Sequence, residues 1–278
     1  MQGRHIEPRV ELFVARVADV TEERRAEHLG WLTPEERAAN ERHAGDANQR
    51  EHLLTRALSR WALSRSTLSR TPIGNEPPVA PYEWRFERTE AGRPFVVGPR
   101  DAPSFNLSNA DGLVVCALAH GGGVVGVDVE PLVRGDELVA SASKLFSPRE
   151  NEHLRSLPPA AQSLRAVELW TVKEAYLKAR GEGISVRLSR FSVAPDAAND
   201  ETPRRYLLED VHLLQDDPSE WHLEVRRFEG WIIAVAVHDE PSSPSKPSGR
   251  PCVLPARSSL PIAFFEVVPS GIVLENPP

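Results

Sequence analysis

Three acidic residues and one lysine in the middle of the chain could hold a hard metal ion beside a phosphate. Asp128 and Glu130 lie two residues apart, and Glu174 and Lys178 lie four apart further along the chain. Carboxylates supply the oxygen ligands that Mg²⁺ prefers, and a nearby ammonium group can balance phosphate charge. The pattern therefore indicates metal-assisted chemistry on a phosphorylated substrate, provided that the fold brings the four side chains together.

The local sequence predicts a strand under the first pair and a helix under the second. Residues 124–130, VVGVDVE, are rich in β-branched residues, follow a glycine and precede a proline. Residues two apart in a strand share a face, so Asp128 and Glu130 should point to one side. In the helix predicted over residues 160–179, positions four apart also share a side. The two pairs meet if the helix packs beside the end of the strand.

The rest of the chain predicts alternating helices and strands. Helices are predicted over residues 35–43, 46–68, 136–146 and 160–179, with a further helix starting at Ser147 and a capping box to Glu150. Strands are predicted over residues 10–17, 82–87, 95–97, 105–107, 113–119, 124–130, 191–193, 211–214, 222–227 and 231–237. The order helix-then-strands occurs twice, and a glycine run at 121–123 lies near the midpoint. This favours two α/β halves joined at the glycines.

Composition excludes several classes of protein. The chain has 278 residues, 40% hydrophobic and 26% charged, as in an ordinary globular protein. Its net charge of −7 argues against a non-specific nucleic-acid binder. No apolar run approaches the ~20 residues that span a bilayer, and the N-terminus lacks a signal-peptide pattern. Cys116 and Cys252 form no disulfide framework, so a cytoplasmic, reducing setting and no membrane partner are expected.

Each candidate residue also has an ordinary structural interpretation when it is taken alone. An Asp-x-Glu strand is more often a solvated face, and Glu174 with Lys178 more often a surface ion pair. Glu150 alone is a helix cap, Arg93 alone is a turn residue, and His52 alone is a structural or solvent-facing side chain. The functional interpretation therefore depends on the conjunction of these residues, in this order and with these gaps.

That conjunction resembles the 4′-phosphopantetheinyl transferases of the surfactin-synthetase (Sfp-like) type. The resemblance covers about residues 32–237. Its most specific motifs are GVDVE at 126–130, FSPRE at 146–150 and WTVKEAYLK at 170–178. Weaker support comes from LTPEER at 32–37, GRP at 92–94 and FNLS at 105–108. The W-x-x-K-E-x-x-x-K pattern downstream of D-x-E is the strongest part of the match.

The resemblance implies an α+β fold of two similar α/β halves, related by a pseudo-twofold axis, with the active site in the cleft between them. Residues 1–121 would form an N-terminal half that contacts coenzyme A phosphates. Residues 122–240 would form a C-terminal half with the metal site, the catalytic helix and the carrier-protein contact. Residues 241–278, rich in Pro and Ser at their start, would be a linker and tail, with one edge strand or disorder at 260–268. A monomer is expected.

The implied reaction moves the phosphopantetheine arm of coenzyme A to a serine of an acyl or peptidyl carrier protein and releases adenosine 3′,5′-bisphosphate. The implied cofactor is Mg²⁺, with Mn²⁺ as an alternative. The family's metal ligands fall on Asp128, Glu130 and Glu174, and its catalytic residues on Glu174, Lys178 and Glu150. Fatty-acid, polyketide and nonribosomal peptide pathways all remain open as the source of the carrier.

The residues implied to contact coenzyme A are Arg93, Ser108, Asn109, His52, Arg50 and Lys178. Asn109 is a departure, because the family often has histidine there; asparagine keeps a neutral donor but cannot carry a positive charge. A basic rim for the carrier is implied around residues 181–188, with Arg187 and Arg190. Two alternatives stay open: another Mg²⁺-dependent phosphoryl or nucleotidyl transferase, and a non-catalytic carrier-binding homologue.

Overall fold

A computed structural model describes residues 8–69, 78–90, 92–99, 102–181, 186–197, 203–211, 214–238, 260–267 and 273–275. Internal contacts divide the chain into two units. The N-terminal unit comprises Arg9–His120 and Pro261–Pro278, and the C-terminal unit comprises Gly121–Leu260 and Met1–Pro8. The division falls at the start of the glycine run.

The N-terminal unit is built on a five-stranded sheet in the order β12-β11-β1-β5-β4. Its strands are β1 Arg9–Arg16, β4 Ser104–Ala110, β5 Leu113–His120, β11 Ile262–Val267 and β12 Val273–Glu275. A separate hairpin consists of β2 Arg85–Arg88 and β3 Pro94–Gly98. The helices of the N-terminal unit are α1 Glu22–Trp31, α2 Pro34–Glu41 and α3 Asp46–Ser69. The apolar strand predicted over 113–119 is β5, which is buried along its whole length and lies inside the sheet, as predicted.

One element of this sheet comes from the far end of the chain. Ile262–Val267, expected within the linker and tail, forms β11 and pairs in parallel with β1, with Val10 opposite Ile262. It is not an edge strand, because β12 pairs with its other side. Burial of Phe264 and Phe265 explains the docking, since both side chains are about 95% or more removed from solvent. Residues 241–259 lie outside the described residues.

Helix α3 packs against the sheet of the N-terminal unit through an apolar stripe. Leu54, Leu58 and Ala62 follow the i, i+4, i+8 spacing that places side chains on one helix face. They join a core that includes Phe13 and Trp84. Trp84 is fully buried and donates its indole N–H to Ser64 at 2.9 Å, so its polar atom is satisfied.

The C-terminal unit is built on a second five-stranded sheet in the order β6-β10-β9-β8-β7. Its strands are β6 Val124–Pro131, β7 Ser192–Pro195, β8 Arg204–Glu209, β9 Trp221–Phe228 and β10 Trp231–His238. Its helices are α4 Gly135–Ala140, α5 Ala142–Leu145, α6 Pro148–Ser156 and α7 Pro159–Arg180. Each unit thus combines a five-stranded sheet with one long helix, which makes the chain an α+β protein of two similar α/β parts.

Helix α7 begins and ends where the sequence predicts. Pro159 occupies the first helical position, where its missing N–H costs nothing. Gly181 ends the helix in the left-handed conformation at φ 74°, and its N–H bonds to the carbonyl of Leu177. The buried face of α7 covers β6 and β10 and includes Val172, Ala175 and Ala179. The helix predicted over residues 160–179 is therefore confirmed.

Some predicted elements differ from the structure, and one helix has no predicted counterpart. The strand predicted over 82–87 begins only at Arg85, because Pro81–Glu83 form a 3-10 helix. Of the strand predicted over 211–214, Val211 and Leu214 lie outside any strand, and residues 212 and 213 lie outside the described residues. The nearest strand is β8, which ends before Asp210 turns to φ 53°. The single helix predicted over 136–146 is interrupted at Ser141, whose ψ of 1° separates α4 from α5. Helix α1 was not predicted, although Thr21 caps it by accepting the N–H of Arg24 and acids fill its first turn.

No helix within the described ranges is long and apolar enough to cross a membrane.

Candidate active site

The site is organised by a close approach of α7 to β6 at Gly126. A Cβ atom added to Gly126 would lie 2.0 Å from the carbonyl oxygen of Ala175 and 2.4 Å from the amide nitrogen of Ala179. The helix backbone thus occupies the space that any other side chain would need. Gly126, Asp128 and Glu130 alternate along β6 and share the face that α7 covers. Because the helix lies so near, side chains from α7 reach both acids.

Gly126→Ala is expected to destabilise the C-terminal unit by about 3 kcal/mol or more, because the clash is with backbone that cannot rotate away. Urea denaturation of both variants measures this. The matched control is Gly230→Ala in the turn between β9 and β10, where an added Cβ meets nothing within 4 Å. Equal stability of the two variants would show that α7 can move away from β6 without cost.

Asp128 and Lys178 form the first pair across this contact. The Lys178 ammonium donates to Asp128 Oδ1 at 2.7 Å. Asp128 is 5% exposed, while the Lys178 side chain keeps 29% exposure. The lysine therefore holds a buried carboxylate at one end and remains accessible to a ligand from the solvent side.

Glu130 is held by two groups from neighbouring elements. Arg134 lies one turn beyond β6 and makes an ion pair with Glu130 Oε1 at 2.7 Å. The indole N–H of Trp170 on α7 donates to the same oxygen at 2.9 Å. The Arg134 guanidinium also lies over the Trp170 ring, 5.3 Å from its centroid. Trp170, the first residue of the W-x-x-K-E motif, thus orients an acid on β6.

Glu174 lies within electrostatic reach of both strand acids. Burial raises the pKa of Glu174, and the negative charge of Asp128 raises it further, while Lys178 lowers it. The charge of Glu130 also raises the pKa of Glu174, and Arg134 lowers it. Several carboxylates close together in a partly buried site repel one another unless a cation or a proton balances their negative charge. Asp128 and Lys178 are therefore in direct contact, and Glu174 lies near enough to Asp128, Glu130 and Lys178 for their charges to act on it.

The three carboxylates are of the ligand type that a hard divalent cation prefers. All three acids offer oxygen atoms, and two of them lie on one face of β6 opposite the helix that carries the third. Within the described residues, however, no group of three or more His, Cys, Asp or Glu side chains converges on one point. The ammonium of Lys178 and the guanidinium of Arg134 pair with two of the acids instead. A metal ion would have to exchange with these protein cations.

Glu150 lies in a different environment from the other acids. It is 3% exposed, and both of its oxygens accept from the Lys173 ammonium at 2.6 Å. It also accepts the N–H of Ser147, completing the predicted capping box, and the N–H of Val193. Burial lowers the pKa of Lys173 to about 8, and Glu150 opposes that shift. The geometry gives Glu150 a holding role between α6, α7 and β7; a direct catalytic role stays a prediction.

The residues expected to contact coenzyme A lie in the N-terminal unit, apart from Lys178. Arg93 donates to the Ser104 hydroxyl at 3.3 Å. Ser108 and Asn109 follow along β4, where Ser108 is buried. The Asn109 amide donates to Glu51 Oε1 at 2.5 Å.

The expected α3 contacts divide into two environments. Arg50 forms ion pairs with Asp46 and Glu22, which direct it toward α1. His52 Nδ1 lies 2.9 Å from Asn40 Oδ1, and its ring packs at 4.3 Å against His43. Glu51, between them, binds Asn109. The structure therefore brings α3 beside the end of β4 but turns Arg50 away from it.

Sequence reasoning missed three residues that shape this region. Arg134 lies in a short 3-10 turn, four residues after Glu130, and no motif marked it. Lys173 precedes Glu174 in the helix motif, yet nothing in the letters shows that it is fully buried. Trp170 opens the same motif, and its indole N–H donates to Glu130. The general need of a tryptophan N–H for an acceptor was the one signal in the sequence, but it did not identify Glu130 as the partner.

Comparison with known proteins assigns the class. Residues 124–236 match the family model described as the 4′-phosphopantetheinyl transferase superfamily. The protein psf-1 of Bacillus pumilus, named a 4′-phosphopantetheinyl transferase, is 31% identical over 190 residues, covering 66% of this chain and 74% of that protein. HetI of Nostoc sp., with the same activity in its name, is 37% identical over 138 residues, covering 49% of this chain and 56% of HetI. Sfp of Bacillus subtilis is 27% identical over 175 residues, covering 63% and 71%.

The chain therefore belongs to the 4′-phosphopantetheinyl transferase superfamily. It spans little more than half of HetI and about three quarters of psf-1. The matched region contains β6, α7 and the acidic side chains described above.

Proposed function

We propose that this chain transfers the 4′-phosphopantetheine arm of coenzyme A to a serine of an acyl or peptidyl carrier protein, with Mg²⁺ as cofactor. The observation that carries the proposal is the Asp128–Lys178 contact between β6 and α7, with Glu130 and Glu174 within electrostatic reach of each other. Membership of the superfamily supports the reaction type. Adenosine 3′,5′-bisphosphate would be the second product.

The ion, when bound, would neutralise the diphosphate and stabilise its leaving group. Asp128, Glu130 and Glu174 would hold it. Glu174 is also our candidate for the base that takes the proton of the carrier serine, because a serine hydroxyl needs a base and this carboxylate lies beside both strand acids. Lys178 keeps an accessible ammonium and would balance charge that builds on the phosphate.

The remaining sequence-predicted residues take supporting roles in the proposal. Arg93, Ser108 and Asn109 would contact coenzyme A, although Asn109 must share its amide with Glu51. Glu150 would act through Lys173, which stands next to Glu174 on α7. A basic rim for the carrier is supported by the exposure of Arg187 and Arg190 on either side of the buried Leu188.

We further propose an enzyme of the Sfp-like type that acts as a monomer in the cytoplasm. Similarity to Sfp and psf-1 over more than 70% of their lengths supports the type.

Mass spectrometry of apo-carrier domains after incubation with coenzyme A and Mg²⁺ tests the function. The expected result is a carrier whose mass increases by one phosphopantetheine arm. A panel of fatty-acid, polyketide and peptide carriers identifies the pathway. Binding of a carrier without any mass increase across the panel would instead support a non-catalytic homologue.

A further inference from the structure

Arg134 lies beside the three candidate metal ligands and contacts one of them directly. Its guanidinium makes an ion pair with Glu130 Oε1 at 2.7 Å and a second, longer ion pair with Glu137 at 3.8 Å. The same guanidinium lies over the ring of Trp170, 5.3 Å from its centroid. The Arg134 side chain keeps 30% exposure, so it is not locked in place by its surroundings. One partly exposed arginine is therefore shared by two acids and a ring.

The positive charge of Arg134 acts on all three candidate ligands. Burial lowers the pKa of Arg134, but the hydrogen bond and charge of Glu130 raise it overall, with a further contribution from Asp128. Burial raises the pKa of Glu174, and Arg134 is among the charges that lower it. The three carboxylates thus have two nearby cations, Arg134 and Lys178. When all of them are ionised, three negative charges against two positive ones leave only one to attract a metal ion.

A divalent cation would compete with Arg134 for the same carboxylate. Oε1 of Glu130 is the atom that Arg134 contacts, and it also accepts the indole N–H of Trp170. An ion that uses this oxygen has to displace the guanidinium from it. A positive charge that already neutralises a ligand also repels the incoming ion, so it weakens metal binding.

Glu137 offers the displaced guanidinium a second partner. It lies three residues after Arg134 in the first turn of α4, and its side chain is 71% exposed. An arginine that leaves Glu130 can pair with Glu137 while its planar group remains over the Trp170 ring. Because exposed ion pairs are weak, exchanging one of them for the other requires little free energy.

We propose that Arg134 is a tethered counter-cation of the metal site, which pairs with Glu130 before the ion binds, moves to Glu137 when it arrives, and thereby sets the affinity for Mg²⁺. This inference rests on the proposed function, because that function supplies the metal ion. Arg134 is a positioning residue on this account, since it acts through Glu130. Removing its charge should strengthen metal binding, whereas removing a residue that only orients Glu130 would weaken it.

The test measures metal binding directly, without a carrier and without coenzyme A. Electron paramagnetic resonance of free Mn²⁺ follows its binding to the full chain, and Mg²⁺ is then titrated as a competitor. Arg134→Gln should bind both ions about threefold more tightly than the parent, as expected when one exposed ion pair no longer competes. Arg134→Lys, which keeps the charge, should bind like the parent. The charge-matched control is Arg155→Gln on α6, an exposed arginine of the same unit.

A change at Glu137 should have the opposite effect on metal binding. Glu137→Gln removes the second partner, so Arg134 should stay on Glu130 and both ions should bind about threefold more weakly. In the Arg134→Gln background the same change should have little effect, because no guanidinium then moves to Glu137. An equal effect of Glu137→Gln in both backgrounds would show that Glu137 acts through its own charge, which would contradict the exchange.

Thermal unfolding separates this role from a purely structural one. Without metal, Arg134→Gln should unfold at a lower temperature than the parent, because three carboxylates then share one cation. Saturating Mg²⁺ at constant ionic strength should remove most of that difference. An equal difference with and without Mg²⁺, together with an unchanged metal affinity, would leave Arg134 only a structural role and overturn the inference.

Failure of this inference and failure of the proposed function give different results. If the parent binds Mn²⁺ and Mg²⁺ while Arg134→Gln binds them equally or more weakly, the role of Arg134 is overturned and the metal site stands. Tighter metal binding by Arg134→Gln in a protein that modifies no carrier would support the role of Arg134 and contradict the proposed function alone. A parent that binds neither ion at millimolar concentration would contradict both.

Discussion

Glu174→Gln should abolish transfer while leaving the protein folded. The amide keeps the size of the side chain but can neither take the serine proton nor supply a charged metal ligand. Loss of a general base alone costs about 10²–10⁴ in rate, so activity should fall at least that far. The measurement is the rate of carrier modification at saturating coenzyme A and Mg²⁺. An active Glu174→Gln would remove Glu174 from the role of base.

Without Mg²⁺, the unfolding temperature of Glu174→Gln should not fall, although its activity does. The folded protein raises the pKa of Glu174 above its value in the unfolded chain. Ionised Glu174 therefore lowers the free energy of unfolding. This destabilisation is complete at a pH above the folded-state pKa and absent at a pH below the unfolded-state pKa. At neutral pH the neutral glutamine escapes this penalty, so the unfolding temperature should stay equal or rise. Glu152→Gln, an exposed change on α6, serves as the control and should alter neither quantity.

The same pKa shift predicts how Mg²⁺ changes the titration of Glu174. Without Mg²⁺, the carboxyl should titrate above the ordinary range for a glutamate, because burial and the charge of Asp128 disfavour its ionised form. Binding of Mg²⁺ by this carboxylate should lower the midpoint, because the cation favours the ionised form. An NMR titration of the Glu174 carboxyl carbon with and without Mg²⁺ measures both midpoints, and a midpoint that Mg²⁺ leaves unchanged would indicate that Glu174 does not hold the ion.

Lys173→Met should strongly destabilise the C-terminal unit. The Lys173 side chain is fully buried, bonds both oxygens of Glu150 and also donates to the carbonyl of Phe191 at 2.6 Å. Removing one partner leaves an uncompensated buried carboxylate, which typically costs about 3–5 kcal/mol. Urea denaturation should show this loss as a lower midpoint.

Two further variants identify the cause of that loss. Lys144→Met, an exposed lysine on α5, should change stability by less than about 0.5 kcal/mol. The double variant Lys173→Met/Glu150→Gln should recover part of the loss, because no buried charge is then left unpaired. If the double variant is no more stable than Lys173→Met, the cost comes from packing around the lysine stem and not from the charge of Glu150.

Local sequence predicted the parts of the site that depend on neighbouring residues. The alternation of VVGVDVE predicted that Asp128 and Glu130 share a face, and Ser147 with Glu150 predicted a capping box; both are confirmed. The position of the turn after β8 could not be predicted in the same way. The strand ends where Asp210 adopts φ 53°, and an aspartate occurs in too many conformations for the sequence to indicate this one. The alternating pattern therefore identified β6 but not β8.

Long-range partners could not be predicted from the chain alone. Nothing local shows that Lys173 would be buried against an acid 23 residues away, since a lysine in a helix is normally exposed. Glu51 lies 58 residues from Asn109, so the competition for its amide also became visible only in the fold. The roles of Arg93, Ser108, His52 and Arg50 toward coenzyme A stay predictions.

The parallel pairing of β11 with β1 has a consequence for synthesis. Val10 leaves the ribosome 252 residues before its partner Ile262. The N-terminal sheet therefore remains incomplete until Ile262 has emerged, with one side of β1 lacking its neighbour. The C-terminal sheet, whose five strands all lie between Val124 and His238, can close before Ile262 appears. A nascent chain stalled before Ile262 should thus protect the second sheet from proteolysis and leave the first one vulnerable.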